Sequence, residues 1–407
     1  MKPVSLLERA NALKPDIVAL RRAIHAEPEL GLECPMTMAK ARAALADLPF
    51  EWRTGPSTTG AVAILRGERS DGGNRTVLLR GDMDALPMDE KTGLDFASTI
   101  SGRMHACGHD THTAMLVGAA RLLAERREEL AGTVQLMFQP GEEGHHGARF
   151  MLDDGLIDPL PGAAFALHIM PNAQFGVLAG RAGALMAAAD QFSITVHGRG
   201  GHASMPHDCA DPVPVAAAIV GALQTMVTRR FDAASAVVVT VTQMRGGTAH
   251  NVIPDDAQIA GTIRTLSPEH RAKAHELVEQ VAQDTARAHG VEADCEITPG
   301  FPVTLCDERA VGLGAKVARG IGGDEGWRDL PAPIMGAEDF SYVLEKAPGA
   351  MFFLGVAPQG EDWSQCCAIH SPRMEVDEAA LPIGAAMLAG CAVRFLERGF
   401  DAAESDS

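Results

Sequence analysis

Apolar positions between residues 4 and 25 recur on one face, which predicts a helix that the chain leaves by Pro28. His25 and Glu29 read there as parts of a capped surface turn. Thr76-Val77-Leu78-Leu79-Arg80 is a short, continuous apolar run of the kind that forms a buried strand, and it empties into Gly81-Asp82-Met83-Asp84. Met115, Leu116, Ala119, Leu122 and Leu123 follow at helical spacing, predicting a helix over 111–127. A second strand is predicted over 133–138, emptying into Gln139-Pro140-Gly141-Glu142-Glu143-Gly144. A third, over 163–167, ends at His168. Another strand, over 350–355, and a closing helix, over 375–397, come near the end of the chain, with His370 between them. The small, acidic tail after Arg398 reads as frayed.

From about residue 187 the pattern changes. Strands are predicted at 191–197, 236–244, 257–264 and 291–298, with helices at 212–228 and 268–289; Ser267 is a good N-cap with Pro268 behind it. The order β-α-β-β-α-β is the ferredoxin-like α+β arrangement, complete in about 110 residues, a domain's worth. The expected organisation is an α/β domain with a mixed sheet at 1–186 and 300–407, interrupted by this α+β domain at 187–299. The valine-rich run at 236–244 could sit at a sheet edge, which is a liability unless it is covered or paired.

Composition narrows the function classes. At 407 residues the chain can hold two cores, and 46% hydrophobic with 22% charged residues is ordinary for a globular protein. Lys and Arg number 35 against 53 Asp and Glu, a net charge of −18, so no cationic surplus exists for nucleic acid or an anionic membrane. Neither a signal-peptide h-region nor a run long enough to span a membrane is read. The eight cysteines show no disulfide-framework spacing and fit a reducing cytoplasm.

Three strands carry acids or imidazoles just past their carboxyl ends, where open α/β sheets bind ligands. The richest stretch is Met104-His105-Ala106-Cys107-Gly108-His109-Asp110-Thr111-His112. Cys107 and His109, two apart in a loop that opens a helix, can turn onto one metal. With Glu143, His168 and His370 they make five candidate ligands. A thiolate with imidazoles and a carboxylate suits zinc or a neighbouring transition metal and disfavours magnesium and calcium. Five exceed one tetrahedral catalytic site and suit two metals, which polarise a carbonyl and generate hydroxide near neutral pH. Glu142, beside a ligand but pointing elsewhere, is the expected general base. Asp84 is placed to orient an imidazole ligand from behind. The flanking imidazoles and the metal site are expected to favour the thiolate of Cys107. His145 and His146, in a glycine-rich turn, read as surface residues.

These residues resemble the metallopeptidase and aminoacylase superfamily that includes carboxypeptidase G. The likeness is to its amidohydrolase subgroup of hippurate hydrolases, N-acetyl-diaminopimelate deacetylases and auxin-conjugate hydrolases. It runs from Arg21 to about Phe395, through Gly81–Pro87, Met104–His112, Gln139–Gly144, Gly198–Pro206, Gly246–Asp255, Gly261–Thr265 and Gly336–Phe340. The resemblance implies a zinc-peptidase-like catalytic domain holding two divalent ions (zinc, manganese, cobalt or nickel) on Cys107, His109, Glu143, His168 and His370, with Glu142 as base. It implies that the inserted domain is a lid through which the chain forms a homodimer, or a tetramer built from one. His202 would then donate to the oxyanion in the partner's site, and Asn251 and Arg264 would bind substrate carboxylate or carbonyl. The implied reaction is hydrolysis of a small N-acyl or N-aroyl amino acid by attack of metal-generated hydroxide. The alternative is an aminopeptidase or carboxypeptidase acting on small peptides. An inactive binding protein would be expected to lose Glu142, which is present. Gly144-His145-His146-Gly147 departs from the glycine run expected in the subgroup and bears on the shape of the site's rim.

Overall fold

The computed structural model describes residues 5–69 and 74–400; the tail read as frayed lies outside them from residue 401 onward. The chain forms two compact units, one of residues 1–185, 305–332 and 339–407 and the other of residues 186–304 and 333–338. The sequence pattern places 333–338 in the first domain. It belongs to the inserted unit instead, where Met186 bridges Ile334 and the Ala187 N–H donates to the Gly336 carbonyl. Nothing in the local pattern of so short a stretch marks that return.

The larger unit is built on an eight-stranded mixed sheet in the order Glu51–Thr54, Ala61–Arg66, Gly132–Gln139, Arg75–Asp82, Ala163–Met170, Gly349–Gly355, Leu178–Gly180, Trp327–Asp329. The third to sixth of these run parallel to one another. Helices cover both faces of a parallel sheet, so its strands are continuously apolar rather than alternating. Ala163 to Ile169 are accordingly all buried. Asp82 pairs with Gln139, and Arg80 with Ala166, so His168 stands level with Asp82 at the carboxyl edge.

The helix His109–Ala124 is buried nearly all round and packs against the closing helix Leu381–Arg398. The approach is close: a Cβ on Gly384 would lie 2.0 Å from the Met115 sulfur. The segment Glu378–Arg398 is long and apolar enough to cross a membrane, but 78% of its apolar window is buried inside this unit, as in a core helix.

Several predicted elements shift. The first helix is two, Leu6–Ala12 and Lys14–His25, because Pro15 has no N–H to continue the ladder and starts a new helix instead. The metal-loop helix begins at His109, two residues earlier than predicted, and the strand predicted to stop before His168 runs on to Met170. The closing helix begins at Leu381, after Asp377 caps a 3-10 turn at Glu378–Ala380. The edge strand Glu51–Thr54, its neighbour Ala61–Arg66 and the helices Pro35–Ala44 and Glu308–Gly322 are additions to the predicted elements.

The inserted unit has a four-stranded antiparallel sheet in the order Val237–Gly246, Asp256–Thr265, Ala188–His197, Glu292–Phe301. With the helices Pro212–Arg230 and Pro268–Ala288 this is the ferredoxin-like topology. Inward residues such as Phe192, Ile194, Ile259 and Ile263 meet Ile219, Leu223 and Val278 of the helices in one apolar core. Val237–Gly246 is an edge strand, with Val238 and Met244 exposed.

Candidate metal centre

All five predicted ligands lie in the larger unit. Gly108 caps the helix that follows at φ 92°, and a Cβ there would come within 2.6 Å of Ile169. Glycine thus lets the loop turn tightly enough to put Cys107 beside the strand that carries His168. Cys107 Sγ lies 3.3 Å from His168 Nε2. His168 Nδ1 donates to the Ile169 carbonyl at 2.7 Å, which leaves the Nε2 lone pair facing the thiol. On the other side, His370 Nε2 is 3.4 Å from Glu143 Oε1.

Donor atoms of Cys107, His109 and His168 lie within 4.8 Å of one another, as do those of Cys107, Glu143 and His370. Cys107 is common to both groups. Both ring nitrogens of His109 are buried without a hydrogen bond, although carboxylate oxygens of Asp82 and Asp84 stand 3.5 Å away. Orphaned nitrogens among thiol, imidazole and carboxylate groups are a donor set that a transition-metal cation would satisfy.

Asp84 does more than face an imidazole. Its two oxygens accept the backbone N–H groups of Glu142 and Glu143, at 2.9 and 3.0 Å, and so fix the turn that presents both acids. Glu142 is buried, with Oε2 3.8 Å from His109 Nε2. Farther along the turn, His145 is exposed and the half-buried His146 ring meets the Tyr342 hydroxyl at 2.9 Å.

The electrostatics follow from this crowding. Burial opposes a charged His109, but the Asp82 carboxylate and Cys107 outweigh it and hold its pKa well above the usual imidazole value. Hydrogen bonds to Cys107 and Glu143 push His370 up to about 10. Burial, with His112 alongside, keeps His168 well below the ordinary value. The expected preference of Cys107 for thiolate is not met by the protein groups: burial raises its pKa despite the lowering by His109. A bound cation would be needed to reverse that.

Sequence reasoning missed Asp82 and His112. His112 Nε2 accepts the Ile169 N–H at 2.9 Å, so its proton is on Nδ1, which donates to Asp82 at 2.6 Å. With both nitrogens engaged, His112 is a prop for the His168 strand rather than a ligand. Asp339, inside a motif that the resemblance marks, accepts from Gln139 and from the Ala148 N–H and so ties down the far end of the acidic turn. His25 and Glu29 are buried, not surface groups: Glu29 caps the Met36 and Thr37 N–H groups. Their signal lies only in tertiary contacts.

His202, Asn251 and Arg264 lie in the inserted unit. His202 is exposed, and its Nδ1 accepts from the Ser204 N–H at 3.2 Å and lies 2.8 Å from its hydroxyl, which leaves a proton on Nε2. Asn251 is exposed and Arg264 half-buried on its strand.

Residues 78–394 match the model of Peptidase family M20/M25/M40. An IAA-amino acid hydrolase (ILR1-like 2) of Arabidopsis thaliana is 38% identical over 385 residues, covering 94% of this chain and 85% of that protein. An N-acetylcysteine deacetylase of Bacillus subtilis is 37% identical over 384 residues, covering 94% and 97%. Among solved structures, a dinuclear metal-binding peptidase from Bacillus subtilis superposes with a TM-score of 0.81 at 34% identity, covering 95% of this chain and 99% of that one. The fold, the clustered donors and these likenesses agree: the chain belongs to peptidase family M20/M25/M40 and is a metal-dependent amidohydrolase.

Proposed function

We propose that the protein hydrolyses the amide bond of N-acyl or N-aroyl amino acids, releasing an amino acid and a carboxylic acid. The observation that carries this reading is Cys107 standing in two donor groups at once. Cys107, His109, Glu143, His168 and His370 would together hold two divalent cations. Such cations, when bound, polarise the substrate carbonyl and lower the pKa of water. Glu142 is the base: its carboxylate takes the proton of the attacking water and returns it to the departing amide nitrogen. Asp84 positions Glu142 through the backbone rather than by touching substrate.

His202, protonated on Nε2, would donate to the developing oxyanion, reaching the site from the partner subunit of a homodimer, and Asn251 and Arg264 would hold the substrate's carboxylate or carbonyl. The exposed edge strand Val237–Gly246 supports pairing of two copies. All eight cysteines are unpaired, which supports a reducing compartment such as the cytoplasm.

A second reading is peptidase action on small peptides. A relative named thermostable carboxypeptidase 1, from Saccharolobus solfataricus, is 37% identical and favours it. The test is a panel of N-acetyl, N-benzoyl and indole-acetyl amino acids and free dipeptides, assayed with zinc, manganese, cobalt and nickel in turn. Turnover of the acyl amino acids without turnover of dipeptides is expected. Dipeptides as the better substrates would replace the first reading by the second.

A further inference from the structure

Behind the candidate metal loop lies a buried charged cluster that the proposed chemistry does not use. The Arg21 and Asp110 side chains are 1% and 0% exposed. Arg21 Nε donates to Asp110 Oδ2 at 2.7 Å, and its Nη1 reaches Glu378 Oε1 at 3.2 Å. His25 Nδ1 lies 2.8 Å from the same Asp110 oxygen, and its Nε2 lies 3.2 Å from Glu90 Oε1. Arg21 and His25 are one turn apart on the helix Lys14–His25, so both heads leave the same face. Two side chains of that helix therefore close on one carboxylate, and carboxylates from two further segments close on the pair.

Asp110 directly follows His109 in the first turn of its helix. The Ala106 carbonyl, on the other side of Cys107, accepts the His370 N–H at 2.6 Å. What fixes Asp110 thus fixes the short stretch carrying two ligands outright and a third through a backbone hydrogen bond. A buried ion cluster of this kind is weak as a source of stability, because desolvating the charges offsets their attraction. What it does supply is a single permitted place for the groups it joins.

We infer that Asp110, clamped by Arg21 and His25, is a positioning residue that sets where His109, Cys107 and His370 stand for the cations. This rests on the metal reading above. In the described hydrogen bonds these side chains join one another and none of the proposed ligands, so the effect should show in metal affinity before it shows in folding.

The test uses the full chain stripped of metal. Arg21→Met with Asp110→Asn removes both charges at similar volume. Arg21→Lys keeps the charge but loses the planar fork that reaches two carboxylates at once. Near-ultraviolet circular dichroism and melting curves establish that each variant is folded. Zinc affinity is then measured by chelator competition, and cobalt is added to read the thiolate-to-cobalt absorption of Cys107. The double variant should bind zinc about 10–100-fold more weakly, the usual loss when a residue supporting a ligand is removed. Its cobalt band should be shifted, with melting near that of the unaltered apoprotein. If the double variant does not fold, Arg21→Lys decides, with about a tenfold loss of zinc affinity expected. A folded variant with unaltered zinc affinity and cobalt spectrum overturns the inference while leaving the metal reading intact. Failure of the unaltered protein to take up zinc or cobalt overturns both.

Discussion

Along the strand Ala188–His197 of the inserted unit, inward and outward positions alternate, and the inward Phe192, Ile194 and Val196 meet one apolar core. In the larger unit, Val77 to Asp82 are buried without a break, and that buried run ends in charged groups: Arg80 bonds Asp82 at 2.5 Å, and Asp82 in turn holds His112. The first arrangement leaves most of its polarity to the solvent face. The second buries it, at a desolvation cost that only near-complete pairing offsets. At His109 the unpaired nitrogens lie among thiol and carboxylate donors, which is what makes them candidates for chemistry. Buried polarity of this kind is concentrated in the larger unit. In the inserted unit one buried carboxylate, Asp190, is fully paired, with Arg271, His275 and the Gly300 N–H.

The widest gap between the two units should come from Glu142→Gln. Turnover is expected to fall by about two to four orders of magnitude, the usual contribution of a general base, with metal content unchanged. Turnover close to that of the unaltered protein would remove Glu142 from that role and weaken the contrast at its centre.

His202→Ala tests whether the inserted unit has chemistry of its own. Removing a donor to the oxyanion costs about 2–4 kcal/mol, on the order of a hundred- to thousandfold in turnover. Because the donor is assigned to the partner subunit, exchange with Glu142→Gln subunits should restore one complete site per heterodimer. Heterodimers that form and stay inactive would return His202 to its own subunit or to the surface.

Ile263→Ala should destabilise the inserted unit by about 2–5 kcal/mol, as large-to-small changes in a close-packed core do. Zinc affinity of the larger unit should not change. A parallel loss of zinc binding, followed by titration on the folded variant, would show that the two cores are not independent.

The smallest effect concerns acid. Burial opposes ionisation of Asp190, but the hydrogen bonds from His275, Arg271 and the Gly300 N–H prevail and hold its pKa down to about 2. A carboxyl depressed in the folded state stabilises above its unfolded pKa of about 3.9, and that contribution fades as pH falls toward the folded value. Asp190→Asn should therefore flatten the loss of stability between about pH 4 and pH 2, read from melting curves of both proteins. An unchanged acid slope would mean that other carboxylates carry it.

The proposed metal ligands are legible in the sequence because most of them sit at a punctuation of the hydrophobic pattern. Glu143 follows the end of an apolar strand, His168 ends the predicted part of another, and Cys107 and His109 open a helix. The alternation of the inserted unit likewise announces its strands, and the order of its elements announces its topology. The roles of Glu142 and His202 are different: the first rests on its place beside a ligand together with resemblance, the second on resemblance alone.

What the sequence determined, then, were the local periodicities and the types of side chain at strand ends, since these depend on neighbours a few residues away. The tertiary structure decided which polar groups are buried together. His25 and Asp110 are separated by 85 positions, yet their atoms lie 2.8 Å apart. Arg80 and Asp339, 259 positions apart, meet at 3.2 Å. No periodicity encodes such pairs, because a lone arginine or histidine on a helix face reads as solvated until the packing of distant segments excludes water from it. The return of residues 333–338 to the inserted unit and the engagement of both His112 nitrogens were set in the same way, by which backbone groups the fold brought within hydrogen-bonding reach.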